Sequence, residues 1–201
     1  MSPSSAPRRA TVERTTAETT VKVVLDLDDP SVSDIGTGIP FFDHMLSQLA
    51  KHGNMGLVVQ VKGDLEVDAH HSVEDTGIAL GQCLSAALGD RRGIRRFSSL
   101  ALPLDETLVE VALDISGRPF LCWEVPLVGA QALGTPGFEP QLSEEFWRAV
   151  VTNASLTLHV DLRRGRNTHH IVEAVFKAIA RVLGSASEVV GEGVPSTKGV
   201  L

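Results

Sequence analysis

A chain of 201 residues with 43% hydrophobic content is long enough to bury a core, either as one domain or as two small fused halves. A formal net charge of −7 without any Lys/Arg-rich run excludes a nucleic-acid surface, which needs concentrated positive charge to displace counterions. No apolar run approaches the roughly 18 residues of a membrane span, and Cys83 and Cys122 alone make no disulfide framework, so a reducing, cytoplasmic setting is expected.

In chain order, the Ser/Pro-rich start has arginines but no following apolar segment of the signal-peptide kind, and residues 1–9 read as a disordered tail. Val21, Val23 and Leu25 alternate, as a strand within Glu18–Leu27 requires. Between Phe41 and His52, the spacing of Phe42, Met45, Leu46 and Leu49 predicts an amphipathic helix, and Leu57–Val61 predicts a second strand. From His71 to Leu88, the residues Val73, Gly77, Leu80, Leu84 and Leu88 mark one face of a helix that Gly89 ends.

The pattern then recurs. Glu106–Ile115 aligns with Glu18–Leu27 without a gap, Leu156–Val160 aligns with Leu57–Val61, and the same offset of 99 carries His70-His71-Ser72-Val73-Glu74 onto His169-His170-Ile171-Val172-Glu173. Ser143, ahead of Glu144-Glu145-Phe146-Trp147, reads as a helix N-cap. Val172, Phe176, Ile179 and Leu183 form a closing stripe with Gly184 as its stop. The expected fold class is therefore α+β, a tandem duplication with halves at 10–95 and 96–190 and a tail at 191–201. Antiparallel strands covered on one face by helices would bury those stripes.

Six of the seven histidines fall at His44, His70, His71, His159, His169 and His170. On a helix, Glu74 lies three and four residues beyond the first pair, within reach of either imidazole. Successive helical side chains diverge by about 100°, so an adjacent pair suits two ions better than one. Together with Glu74 and Glu173 the set offers three imidazoles and one carboxylate to each of two ions. Such donors suit Mn²⁺, Fe²⁺ or Zn²⁺ rather than Ca²⁺ or Mg²⁺. The zinc-protease order His-Glu-x-x-His is absent, so nothing supports a peptidase. Three readings fit these residues: a metal-dependent enzyme other than a hydrolase, a non-catalytic metal-binding oligomer, and a di-metal hydrolase. The second leaves Arg96, Arg118 and Lys198 without a role, and the third usually carries more aspartates.

The segments Asp43-His44-Met45, Asp68-Ala69-His70-His71-Ser72-Val73-Glu74-Asp75, Ser116-Gly117-Arg118-Pro119, Asn167-Thr168-His169-His170-Ile171-Val172-Glu173 and Pro195-Ser196-Thr197-Lys198-Gly199 span almost the whole chain. In these the chain resembles the imidazoleglycerol-phosphate dehydratase family. The resemblance implies a duplicated fold like that of ribosomal protein S5 domain 2, two Mn²⁺ per active site, and a homo-oligomer of about 24 subunits with sites at subunit interfaces. It also implies loss of water from imidazoleglycerol phosphate in histidine biosynthesis, through a metal-bound imidazolate, giving imidazole-acetol phosphate. Glu18 is then the expected general base, with Asp105 in reserve. Glu18, His52, Arg96, Arg118, Lys177, Ser196 and Lys198 are the expected substrate contacts, because forked and charge-assisted hydrogen bonds suit phosphate. Gln60 stands where the repeat places His159, and His44 has no counterpart, so each serves a different ligand set.

Overall fold

The computed structural model describes residues 7–127 and 129–201. The first unit runs β1 (Arg9–Thr15), β2 (Thr19–Asp26), β3 (Ser33–Gly36), α1 (Pro40–Gly53), β4 (Gly56–Gly63) and α2 (His70–Leu88). The second repeats that order as β5 (Phe97–Leu104), β6 (Thr107–Asp114), β7 (Phe120–Glu124), α3 (Leu142–Ala154), β8 (Thr157–Arg164) and α4 (Thr168–Ser187). The α+β duplication expected from the sequence is thus realised, down to the strand orders β1-β2-β4-β3 and β5-β6-β8-β7. Neither sheet is purely antiparallel, however. In each unit the short third strand and the next strand are linked through a helix, and that crossover makes β3 parallel to β4 and β7 parallel to β8.

Alternation in β2 turns Val21, Val23 and Leu25 inward, while Thr20 and Lys22 face out; β6 does the same with Val109, Val111 and Leu113. α2 covers the inner face of the first sheet and α4 that of the second. The halves are interlocked, because α1 packs on α4 and α3 packs on α2. Where they meet, Phe42, Phe138, Phe146, Trp147 and Phe176 are fully buried. Phe42 stacks on Phe138 at 5.7 Å, and Phe146 on Phe176 at 5.5 Å. Each such ring contributes roughly 1.5–3 kcal/mol by leaving water.

Three local expectations need correction. Gly184 does not end its helix: α4 continues to Ser187, and Gly184 faces the backbone of Gly53, where a side chain would collide. Ser143 is not an N-cap, since α3 begins at Leu142 after Gln141 and the buried Ser143 hydroxyl has no partner. The tail expected at 1–9 does not include Arg8 and Arg9. Residues 1–6 lie outside the described residues, whereas Arg8 pairs with Asp28 at 2.6 Å and Arg9 opens β1.

Candidate functional site

Both imidazole pairs open a helix, and the local sequence fixes them there. Asn167 caps α4 by accepting from the backbone N–H groups of His169 and His170 at 2.9 and 3.3 Å. In α2, Asp68 does the same for the N–H of His70 at 2.7 Å. The rings in each pair then diverge, with centroids 6.1 Å apart and planes at 85° for His70 and His71, and 6.2 Å and 86° for His169 and His170.

The first imidazole of each pair turns to its own helix. His169 Nε2 lies 2.8 Å from Glu173 Oε2, and His70 Nε2 lies 4.0 Å from Glu74 Oε2. The second does not share that carboxylate, contrary to the helical-spacing argument, because the neighbouring turn supplies nearer ones. His71 Nδ1 donates to Asp64 Oδ2 at 3.0 Å, with Glu18 Oε1 3.8 Å from its Nε2. His170 Nδ1 donates to Glu106 Oε2 at 2.8 Å, with Asp105 Oδ2 3.8 Å from its Nε2. These carboxylates raise the pKa of both imidazoles above the ordinary value, Asp64 and Glu106 being the main causes. In return His170 holds the Glu106 carboxyl well below the usual range.

Interlocking of the halves completes a cluster. α1 brings His44 Nε2 to 3.4 Å from Glu173 Oε2, so that His44, His169 and Glu173 each offer a donor atom within 4.8 Å of the others. Burial acts to raise the Glu173 pKa, but Lys177, which pairs with it, and His169 bring it down to about 2. The carboxylate is therefore charged and ready to ligate. Two imidazoles and a carboxylate fit a first-row divalent cation. Among the described residues no other group of three such donors converges: His70 lies 4.0 Å from Glu74 without a third donor, and His159 is on the exposed face of β8, its ring centroid 5.6 Å from that of Phe120. Two turns beyond His44 on α1, His52 Nε2 contacts Gln48 Oε1 at 3.2 Å, and its pKa is lowered by burial and by Lys177 and Arg181.

The expected phosphate ligands gather elsewhere, around an open cavity of about 600 Å³ lined by Arg96, Arg118, Ser196, Lys198 and the end of the tail. Arg96 is largely occupied: it forks onto Asp114 at 2.7 and 3.2 Å and donates to Pro195 O at 2.7 Å, tying the tail to the sheet. Among the described residues the Arg118 guanidinium donates only to the nearby Ser116 carbonyl, leaving most of its fork for a ligand. The cavity lies at the opposite end of α4 from His169 and His170. Arg96 N donates to Ala186 O near the end of α4, whose 20 residues span roughly 30 Å from the histidines at its start.

Asp64 and Glu106 are the functional candidates that the sequence reading did not select. Glu106 could have been found from its repeat alignment with Glu18, while Asp64 gave no signal because Arg163 occupies its repeat position.

Clustered imidazoles and carboxylates at helix starts, with a cationic cavity on the same duplicated scaffold, define an enzyme rather than a structural module. The family profile described as imidazoleglycerol-phosphate dehydratase matches residues 37–183. A relative of that name from Ruegeria pomeroyi is 53% identical over 197 residues, covering 96% of this chain and 100% of its own length. One from Methanopyrus kandleri is 48% identical over 96% of each chain. The crystal structure of imidazoleglycerol-phosphate dehydratase from Staphylococcus aureus superposes with a TM-score of 0.81 at 41% identity, covering 90% of this chain and 99% of that one. A ligand complex of the Pyrococcus furiosus protein gives 0.81 at 34% identity, covering 94% and 100%. The chain belongs to the imidazoleglycerol-phosphate dehydratase family.

Proposed function

We propose that this chain is a hydro-lyase converting imidazoleglycerol phosphate to imidazole-acetol phosphate and water in histidine biosynthesis, with two Mn²⁺ per active site. The observation that carries the reading is the convergence of His44, His169 and Glu173, from both halves of a chain of this family, into a set that fits a divalent cation. His70, His71, Glu74, His159 and His170 are the remaining ligands of the proposal. A bound cation supplies Lewis acidity, lowering the pKa of a ring nitrogen so that an imidazole can expel a neighbouring hydroxyl. The chain's own groups do the rest. In the proposal Glu18, exposed and 3.8 Å from Nε2 of His71, takes the carbon-bound proton, and Asp105, 3.8 Å from Nε2 of His170, is its reserve. Arg118, Lys198 and Ser196 hold the phosphate, Arg96 fixes the tail that carries two of them, and Lys177, paired with Glu173, and His52 on α1 are the remaining substrate contacts of the proposal.

An assembly is part of the same proposal. One small substrate cannot touch both the α4 imidazoles and the cationic cavity roughly 30 Å from them, so the proposal sets the cavity of one copy against the α4 imidazoles of another. The half-site of His70 and Glu74 and the outward His159 likewise await a second copy. This supports the homo-oligomer, taken as a 24-mer. Among the described residues no helix is long and apolar enough to cross a membrane, and both cysteines are free thiols; a cytoplasmic location is part of the proposal.

The test is turnover of imidazoleglycerol phosphate by metal-stripped protein with and without Mn²⁺, following the ketone product by its absorbance in alkali. Activity restored by Mn²⁺ is the expected result, whereas metal uptake without product would sink the dehydratase reading. Arg118→Ala should raise KM about tenfold or more with a smaller change in kcat, since it removes binding that ground state and transition state share. Steady-state kinetics showing an unchanged KM would remove Arg118 from the phosphate site.

A further inference from the structure

Two carboxylates outside the ligand set hold the second imidazole of each pair. We infer that Asp64 and Glu106 are positioning residues that fix His71 and His170 as Nδ1–H tautomers, leaving each Nε2 lone pair aimed outward at a divalent cation. The inference rests on the metal-dependent reading above. A neutral imidazole has one N–H and one lone pair, and the partner of one nitrogen decides which the other presents. Ligating histidines typically donate their second nitrogen to a carboxylate or carbonyl.

The two halves reach this arrangement by different routes. Asp64 follows β4, where the repeat places Arg163 in the second half, while Glu106 sits in the β5–β6 turn, where the repeat places Glu18 in the first. A contact inherited passively through duplication would use equivalent residues. Two non-equivalent residues meeting the same atom, at 3.0 and 2.8 Å, point to a requirement at that atom.

Neither carboxylate has a better explanation. Among the described residues the side chain of Asp64 makes its one hydrogen bond to His71, and its other oxygen is buried without a partner. That arrangement costs stability rather than adding it. Glu106 is itself clamped, its Oε1 accepting from the backbone N–H groups of Arg166 and Asn167 at 3.2 and 2.9 Å. Its Oε2 is thereby committed to His170.

The arrangement also accounts for the divergence of Glu18 and Glu106. With Asp64 on Nδ1 of His71, Glu18 is released to the Nε2 side, where it is half exposed. In the second half Glu106 takes the Nδ1 side, and Asp105, which aligns with Ala17, faces Nε2 instead. One carboxylate orients and one stays on the reacting side in each half.

The experiment uses full-length Asp64→Asn and Glu106→Gln proteins, with Asp64→Glu as the conservative variant. Mn²⁺ affinity is measured by competition with a chromophoric chelator, bound metal by elemental analysis, and folding by thermal melting of the metal-free forms. Affinity should fall about 10- to 100-fold in the two amide variants, recover in part in Asp64→Glu, and do so with little change in metal-free melting temperature. Parental affinity in both amide variants overturns the inference, as does a loss that merely tracks melting temperature and that Asp64→Glu does not relieve. Should the parent protein itself bind no Mn²⁺, the functional reading fails and this inference with it, so the two failures are distinguishable.

Discussion

An alanine at His169 should leave one metal site empty and lower turnover on the order of 10²- to 10³-fold, the scale on which removal of one preorganised electrostatic group acts. His169 stands between two other donors, 2.8 Å from Glu173 and with its ring centroid 5.9 Å from that of His44. Removing it leaves a pair that no longer chelates. The fold should tolerate the change, because the side chain is 45% exposed and Asn167 caps the helix through backbone N–H groups that alanine retains. Metal-free stability should therefore shift by less than about 0.5 kcal/mol. The parent should melt at a higher temperature with Mn²⁺ than without, since a ligand that binds only the folded state stabilises it. His169→Ala should show a smaller rise and fewer ions per chain by elemental analysis. Full metal content together with full activity would remove His169 from the site.

The duplication was legible because two periodicities, alternation in β2 and β6 and helical spacing in α2 and α4, recur with chemically distinctive residues between them. What escaped was the set of strands whose burial is incomplete or whose length is short. β1 and β5 lie at sheet edges and alternate only between exposed and half-buried positions, so Ala10 and Val12, or Leu100 and Leu102 beside Pro103, give a diluted signal. β3 is four residues, Ser33–Gly36, too few for a period to show. The imidazole pairs and their divergence could be read from helical geometry. Of their outer partners, Glu106 was open to reading only as the repeat equivalent of Glu18 and Asp64 not at all, because both reach His71 and His170 from neighbouring turns of the sheet, and only the fold sets those distances. Nor could the sequence show that His44 joins Glu173, a contact made across the interlocked halves at a separation of 129 residues.

Gly184 illustrates how a residue read as a stop can instead be the condition for the site. Gly184→Ala would bring a methyl group to 2.4 Å from Gly53 O and 3.1 Å from its carbonyl carbon, both backbone atoms at the end of α1. In a helix interior, glycine to alanine alone would gain about 1 kcal/mol of propensity. Overpacking against immobile backbone costs about 1–3 kcal/mol and occasionally more, so the collision should win. Gly184→Val adds bulk and a β-branch to the same contact and should lose on the order of 2 kcal/mol net, lowering the melting temperature by roughly 4–8 °C in a chain of this size. Gly191→Ala, where nothing lies within 4 Å, serves as the comparison and should melt close to the parent. The effect should reach the chemistry as well. α1 carries His44 and α4 carries His169 and Glu173, so wedging these helices apart separates donors now within 4.8 Å and should weaken Mn²⁺ binding in the protein that still folds. A Gly184→Val protein that matched the parent in both melting temperature and Mn²⁺ affinity would show that the contact between α1 and α4 does not set the spacing of the cluster.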